Sequence, residues 1–279
     1  MTIQKIIDGI LADTDGQNGG NVGSIVLEDE ILQIDSGMVH TKTREMYEYL
    51  TTQYELPLLK LIYTHYHSDH VFGAQAFGSI SRIASTPMRK NCDEALATNW
   101  KHQELLNGYA STKDERPELW ESLQTLSIKP PNITFSDEIR LGASEDVTLK
   151  LLGGHTSGSS VVIAHQQNCI FVGDLIFSGS FPYAGDPSCN PDLWIKDLHE
   201  IKKSDYDYII PGHGPVCDTD YVETYEKAMS ELRDNVKAAL SSKLSVDEFM
   251  SKGMIPAAFT QGIDRWCVRS LDHWFKFYR

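Results

Sequence analysis

Short apolar runs bounded by turn residues open the chain, and this pattern predicts strands. One helix is expected among them, because Met46, Leu50 and Tyr54 recur at helical spacing. The run just before residue 64 is mostly apolar and predicts a buried strand. The expected elements are strands within 3–11 and at 23–27, 30–34 and 58–63, a turn at 15–20, and the helix at 43–54.

A second block of strands and helices is expected after residue 146. Its short β-branched or apolar runs predict strands, and its longer runs with apolar residues every three or four positions predict helices. The expected strands cover 147–152, 160–164, 169–172 and 206–210, and the expected helices cover 194–203, 221–240 and 264–277.

Two halves that each run from strands to a helix predict an α+β fold with two sheets packed face to face and helices outside. Between the halves, residues 86–130 are rich in helix formers and carry Trp100, Tyr109 and Trp120. This segment predicts a helical insertion that covers a site, or one whose aromatic residues only attach it to the body. No repeat or Pro/Gly-rich linker marks a boundary, so residues 1–279 are expected to form a single domain.

Composition and charge favour an ordinary globular protein. A small-molecule substrate is expected from the chemistry described below. The chain is 41% hydrophobic and 23% charged, and its net charge of −14 argues against a nucleic-acid partner. No run approaches the roughly 20 apolar residues of a membrane span, so no membrane association is expected. The first residues lack the apolar core of a signal peptide, which favours the cytoplasm. The oligomeric state stays open, with a homo-oligomer among the alternatives.

The five cysteines are odd in number and widely spaced, so neither a disulfide framework nor a thiolate metal site is expected. Cys217 follows His213 by four residues. It therefore lies near the candidate chemistry described below or has only a structural role.

The richest chemistry lies in the run from Thr64 to His70, where three histidines and an aspartate fall within six residues. Imidazole and carboxylate together suit zinc, iron or manganese. On an extended segment His65, His67 and Asp69 point to one side and His70 points away. One short segment is therefore able to serve two neighbouring metal ions.

Three isolated residues further along the chain complete this chemistry. His155 lies in a loop between two predicted strands, Asp174 is expected at the end of a strand, and His213 is expected after another. Each has a glycine beside it, which permits close backbone approach. The residues divide into His65, His67 and His155 for one ion and Asp69, His70 and His213 for a second. Asp174, with its two oxygens, bridges both.

The motifs H-x-H-x-D-H, G-H-T, G-D and P-G-H-G, in this order from residue 65 to residue 213, resemble the metallo-β-lactamase fold superfamily. The resemblance implies a four-layer αββα sandwich with two divalent metal ions at one edge between the sheets, zinc first and iron or manganese as alternatives. It also matches Asp35 to the aspartate that supports the ligand loop; the alternative is an ordinary Asp-Ser-Gly turn.

The branch of the superfamily follows from Asp174 and His70. The best-known β-lactamases of this fold have cysteine and arginine at these positions, so the pattern is closer to glyoxalase II-like thioesterases and lactonases. The expected reaction is attack of a metal-bridging hydroxide on the carbonyl of an ester, thioester or lactone. Asp69 would be both ligand and proton carrier. The alternatives are a thiol dioxygenase with one iron and a β-lactam hydrolase.

The segment after Asp174 is aromatic and predicts a substrate pocket. Phe177, Phe181 and Tyr183 are its candidate residues, with core packing as the alternative. Lactonases of this fold have tyrosine at the position of Phe177, which weakens the lactonase interpretation. The remaining histidines are expected to take no part in metal binding: His40, His102, His165, His199 and His273.

Overall fold

The computed structural model of the chain describes residues 2–259 and 265–279. Its first sheet has seven strands in chain order, antiparallel from β1 to β4 and parallel from β4 to β7. These strands are β1 Ile3–Ile7, β2 Ile10–Asp13, β3 Val22–Val26, β4 Ile31–Ile34, β5 Leu58–Ile62, β6 Ser81–Ser85 and β7 Ile133–Phe135.

The second sheet has five strands in the order β12, β11, β10, β9, β8. Its pairs are antiparallel except that of β11 with β12, which is parallel. The strands are β8 Glu138–Leu141, β9 Val147–Leu151, β10 Ser160–Ala164, β11 Cys169–Phe177 and β12 Tyr208–His213.

Ten α-helices lie in the described residues, and two short 3₁₀ segments, Phe72–Phe77 and Ala257–Phe259, accompany them. None of the helices of the described chain is both long and apolar enough to cross a bilayer. They are α1 His40–Tyr54, α2 Ser68–Val71, α3 Thr86–Ala97, α4 His102–Gly108, α5 Thr112–Glu115, α6 Pro117–Gln124, α7 Pro191–Lys203, α8 Thr219–Ser241, α9 Val246–Ser251 and α10 Arg265–Phe277.

Three apolar clusters give the layer order. The central cluster joins the inner faces of the two sheets, with Ile25 and Leu32 on one side and Leu149 and Phe171 on the other. A second cluster packs α1, α3 and α6 on the outer face of the first sheet, and a third packs α7, α8 and α10 on the second sheet. This arrangement is the predicted αββα sandwich.

The helical segment predicted at 86–130 contains α3 to α6, which end at Gln124. It connects β6 to β7, which are parallel neighbours in the first sheet. Parallel neighbours need a crossover connection, so this segment joins two strands of the sheet. The sequence pattern missed β6, β7 and β8, because their short runs carry polar and half-exposed residues.

Two strand boundaries differ from the prediction and move functional residues. The strand predicted at 169–172 extends to Phe177, because β11 continues to pair with β12 beyond Gly173. Asp174 therefore lies within a strand and not at its end. His213 is the last residue of β12 and does not follow it. The helix predicted at 264–277 is α10, and residue 264 lies outside the described residues.

Asp197 on α7 is a buried carboxylate remote from the predicted metal ligands in sequence. It is 6% exposed, its Oδ2 has no hydrogen-bond partner among the described residues, and burial raises its pKa to about 6. The folded-state pKa lies above the unfolded value of about 4, so stability is lost as the pH rises between these values.

We expect Asp197→Asn to stabilise the fold by about 1 kcal/mol at pH 8 and to have no effect at pH 4, because only the ionised carboxylate is unfavourable here. Urea unfolding at both pH values measures this difference. The exposed Asp114→Asn is the control and should change stability at neither pH. Equal stability of Asp197→Asn and the parent protein at pH 8 would contradict the prediction.

Candidate metal centre

Four connections bring the predicted ligands to one edge of the sandwich. His65 and His67 follow β5, and Asp69 and His70 lie in α2. His155 lies between β9 and β10, while Asp174 and His213 come from the paired strands β11 and β12. The ligand atoms form two groups, each with all its atoms within 4.8 Å of one another. The two groups are His65, His67, His155 and Asp174, and Asp69, His70 and His213.

In the first group, three imidazoles surround one oxygen of Asp174. Asp174 Oδ2 lies 3.4 Å from His65 Nε2 and 3.4 Å from His155 Nε2. His155 Nε2 also lies 3.1 Å from His67 Nδ1. Three nitrogens and a carboxylate oxygen thus converge on a small space, as a tetrahedral metal ion requires.

The second group faces the other oxygen of Asp174. Asp174 Oδ1 lies 3.1 Å from His70 Nε2 and 3.4 Å from His213 Nε2. His213 Nε2 is also 3.4 Å from Asp69 Oδ2. The carboxylate of Asp174 therefore lies between the two groups with one oxygen toward each.

The helix α2 changes how the run from His65 to His70 divides. The prediction placed Asp69 on the same side as His65 and His67, but the extended backbone ends at His67 and α2 begins at Ser68. Helical geometry turns Asp69 toward the second group, where it meets His70. The two groups contain the residues that the sequence analysis assigned to them, although a change of backbone conformation separates them. That these groups bind two metal ions stays a prediction.

Three ligand atoms have no other use in the fold. His65 Nε2, His70 Nε2 and Asp174 Oδ1 are buried and make no hydrogen bond within the described residues. Buried polar atoms without a partner are costly, and a cation at this position satisfies all three. The residues present therefore fit divalent metal ions.

The outer nitrogens of the histidines are held by hydrogen bonds that aim the inner nitrogens at the groups. His70 Nδ1 donates to Asp35 Oδ2 at 2.8 Å, and His155 Nδ1 donates to the Tyr183 carbonyl oxygen at 3.0 Å. His65 Nδ1 lies 3.1 Å from Thr64 Oγ1, which donates to Asp35 Oδ2 at 2.7 Å. Such partners fix the tautomer and ring orientation of metal-binding histidines.

Asp35 therefore has the supporting position that the resemblance implied, and it is not an ordinary turn residue. Its two oxygens accept hydrogen bonds from the Thr64 backbone and side chain and from His70. Through Thr64 it supports a histidine of the first group, and directly it supports one of the second. Its φ of 54° is in the left-handed region, which Asp tolerates better than most residues.

Electrostatics keep the first group ready to bind a cation. Burial, together with the neighbouring His70, lowers the pKa of His65 to about 3. Burial likewise holds the pKa of His155 well below its usual value. For Asp174, burial opposes ionisation, but His213, His70 and His65 outweigh it and hold the pKa well below the usual value. Neutral imidazoles beside an ionised carboxylate are the forms that bind metal.

Comparisons with known proteins agree with this geometry. The family model described as the metallo-beta-lactamase superfamily matches residues 15–213, well over half of the chain. The chain belongs to the metallo-β-lactamase superfamily. Its His/Asp site could bind metal. The match covers every predicted metal ligand.

Individual relatives show the fold and leave the branch open. The chain is 23% identical to a linear primary-alkylsulfatase of Pseudomonas sp. (strain ATCC 19151) over 262 residues, covering 81% of this chain and 48% of the relative. The chain thus spans about half the length of this curated relative. The metallo-β-lactamase DIM-1 superposes with a TM-score of 0.63 at 18% identity, covering 82% of this chain and 96% of that one. A metallo-β-lactamase from Hirschia baltica gives 0.61 at 17% identity, covering 82% and 97%. None of these comparisons confirms the glyoxalase II-like branch.

The three aromatic residues predicted to shape a pocket have different surroundings. Phe177 is buried and its ring stacks on His213, with centroids 5.0 Å apart. Phe181 is buried and packs against Phe259, which favours the core-packing alternative for this residue. Tyr183 is partly buried, and its ring centroid lies 5.7 Å from that of His67. Phe177 also adjoins the first group, since its ring centroid lies 5.8 Å from that of His155. Tyr183 is the member of the set that adjoins the first group and carries a hydroxyl.

The turn that carries His213 is held by a residue that sequence reasoning missed. The Asn21 side-chain Nδ2 donates hydrogen bonds to the carbonyl oxygens of Pro211 and Gly214 at 2.9 and 2.8 Å. Its buried Oδ1 accepts no hydrogen bond from the described residues. Its backbone N–H donates to the Gly212 carbonyl oxygen at 2.7 Å. A lone Asn after two glycines gives no sequence signal of this role.

The other histidines and Cys217 lie outside the two groups of the described chain. His165 contacts Thr148, and His199 contacts Glu226. Cys217 Sγ lies 3.5 Å from the Ile209 carbonyl oxygen, and burial raises the pKa of its thiol to about 12. Both observations favour the structural alternative for Cys217.

We expect Gly212→Ala to reduce metal binding, because a Cβ at this position collides with Asp174 Oδ1 and lies 2.6 Å from the Gly173 carbonyl carbon. Either the carboxylate or the β11–β12 pairing must move, at a cost of about 1–3 kcal/mol. Metal analysis and thermal unfolding measure both effects. Gly108→Ala, whose Cβ meets nothing within 4 Å, is the control. Unchanged metal content in Gly212→Ala would contradict this packing argument.

Proposed function

We propose that this superfamily member is a hydrolase that holds two divalent cations, zinc in preference to iron or manganese. We further propose that it hydrolyses a carboxylic ester, thioester or lactone of a small molecule. The observation that carries the proposal is the placement of Asp174, whose Oδ1 and Oδ2 face different donor groups. A carboxylate with one oxygen toward each group is suited to join two ions.

Cations bound here would lower the pKa of a coordinated water and polarise the bond to be cleaved. The protein residues position these cations and manage protons. Asp69 is the more accessible of the two carboxylates in the ligand groups, since its side chain is 24% exposed while that of Asp174 is 3% exposed. It is therefore placed to hold a proton and pass it to the leaving group.

Tyr183 is the residue best placed to contact the substrate oxygen. Its ring lies beside His67 and packs edge-to-face on Trp266. Burial raises the pKa of its phenol, so the hydroxyl remains a hydrogen-bond donor at neutral pH. A donor beside the first group can stabilise negative charge that develops on a carbonyl oxygen.

A second candidate function is hydrolysis of a sulfate ester. Its support is the 23% identity to the linear primary-alkylsulfatase, which covers 81% of this chain. Both candidate reactions use the same centre, so substrate choice and not metal content distinguishes them.

Metal quantification on purified protein, combined with a substrate panel, tests the proposal. The panel contains a lactone, a thioester, a carboxylic ester, an alkyl sulfate and a β-lactam, and oxygen uptake with a thiol is measured in parallel. We expect two metal ions per chain and hydrolysis of a carbonyl substrate. Preference for the alkyl sulfate would support the second candidate. One iron per chain with oxygen uptake, or full activity without metal, would contradict the proposal.

A further inference from the structure

A buried carboxylate outside the predicted ligand set contacts His67. Asp186, in the loop between β11 and α7, is 3% exposed. Its Oδ2 lies 3.2 Å from His67 Nε2 and also accepts a hydrogen bond from the Tyr66 hydroxyl. Its Oδ1 accepts from the backbone N–H and the hydroxyl of Ser188 at 2.8 and 2.6 Å. Four donors therefore converge on this one carboxylate.

The contact with Asp186 determines which nitrogen of His67 faces the metal group. An ionised carboxylate only accepts hydrogen bonds, so His67 Nε2 must carry a proton to donate to it. In the neutral ring, Nδ1 is then unprotonated and has a free lone pair. Nδ1 is the atom that lies 3.1 Å from His155 Nε2 in the first group.

His67 needs such a contact more than its neighbours do. Its side chain is 18% exposed, whereas those of His65 and His155 are 1% and 0% exposed. Aromatic rings pack around His67, but its partly exposed ring is less enclosed than the two buried ones. A hydrogen bond therefore contributes more to fixing which of its nitrogens faces the group. Turning the ring would exchange the positions of its two nitrogens and remove Nδ1 from the first group.

Asp186 is itself held in place from two parts of the fold. Ser188 fixes one oxygen from the same loop, and Tyr66 fixes the other. The Tyr66 ring also packs against Trp100, with centroids 6.0 Å apart, in the helical segment between β6 and β7. Burial opposes the charge of Asp186, but the hydrogen bonds from His67, Ser188 and Tyr66 outweigh it and hold its pKa well below the usual value.

We propose that Asp186 is a positioning residue that keeps His67 in its Nε2-protonated form, with Nδ1 directed at the first metal group. The part of this inference that concerns metal binding rests on the proposed function, since His67 is a metal ligand only if the centre binds metal. The hydrogen-bond geometry itself is independent of any bound ion.

Imidazole ¹⁵N spectra of the metal-free parent protein at pH 8 test the tautomer directly. We expect His67 to show a protonated Nε2 and an unprotonated Nδ1. A protonated Nδ1 in the parent would overturn the proposal without any substitution. The same spectrum of Asp186→Asn should show a mixture of the two His67 tautomers. The asparagine NH₂ is itself a donor, so when it faces His67 it favours an unprotonated Nε2, and when the amide oxygen faces His67 it favours a protonated Nε2.

Zinc affinity measured by competition with a chromophoric chelator gives the second readout. We expect Asp186→Asn to weaken one of the two ions by about 10–100-fold and to leave the other unchanged. Asp197→Asn, which also removes a buried carboxylate, is the matched control and should bind both ions as the parent does. An Asp186→Asn protein with the parent's tautomer and both affinities would overturn the proposal.

Parent protein that binds no zinc at all would refute the proposed function, whereas the tautomer measurement would still decide the role of Asp186. The two failures are therefore distinguishable. Tyr66→Phe adds a further check, since it removes one donor from Asp186 Oδ2 and leaves the His67 contact in place. It should retain the Nε2-protonated form of His67, and a switch to Nδ1–H would contradict the role given to Asp186.

Discussion

Asp174→Asn is expected to release metal from both groups together and to lower the hydrolytic kcat/KM by more than about 10²-fold, beyond the loss typical of residues outside the coordination sphere. Its carboxylate faces His65 and His155 with one oxygen and His70 and His213 with the other. Asparagine keeps the shape of the side chain but carries no negative charge. It also replaces one of the two carboxylate oxygens with an NH₂ group, which cannot bind a metal ion. Metal analysis and steady-state kinetics on the purified variant measure the two losses.

Asp197→Asn provides the control for Asp174→Asn, because it replaces a buried, unpaired carboxylate on α7 and should retain metal and activity. Loss of a single ion from Asp174→Asn would show that Asp174 serves one group only. Retention of both ions would contradict its bridging position altogether.

Removal of metal by a chelator is expected to abolish hydrolysis and to destabilise the fold. The ions would satisfy three buried atoms that otherwise have no partner: His65 Nε2, His70 Nε2 and Asp174 Oδ1. At free zinc about 100 times its dissociation constant, each ion adds about 2.7 kcal/mol to the free energy of unfolding, so two ions add about 5 kcal/mol. For a chain of this size, Tm should therefore fall by roughly 10–20 °C when zinc is removed.

Thermal unfolding with and without chelator, followed by addition of zinc, checks this expectation. Zinc should restore both Tm and activity. The Asp174→Asn protein is the matched control, since its Tm should respond little to zinc. Equal Tm values for chelated and zinc-loaded parent protein would show that the ions are not held at this buried site.

Much of the centre could be predicted because the types and spacing of its residues indicate metal-binding chemistry. Histidines and aspartates at the ends of apolar runs have no role in a core, and four such motifs in a fixed order indicate one family. The αββα sandwich followed from the same motifs and from strand runs that the structure confirms, such as Ser160–Ala164. Asp35 was predicted because the resemblance matches it to the family's strand-end aspartate that supports the ligand loop.

Where the prediction was wrong, the cause was pairing between distant segments. The strand containing Asp174 was predicted to stop at residue 172, but pairing with β12 continues it to Phe177. α1 starts at His40, before the predicted residue 43, and there the His40 backbone N–H donates to Ser122 of α6. These interactions join residues far apart in sequence, so local patterns do not contain them.

By itself, the sequence determined the family, the layer order and the identity of the seven candidate ligands. Side-chain chemistry and the order of short motifs fix these features locally. Only the tertiary structure decided which oxygen of Asp174 faces which group. It also decided that Asp186 contacts His67 and accepts a hydrogen bond from Tyr66. An Asp before a proline in an irregular loop carries no local signal. Its role arises because the packing of two sheets and a helical segment brings it within hydrogen-bond distance of a histidine 119 residues away.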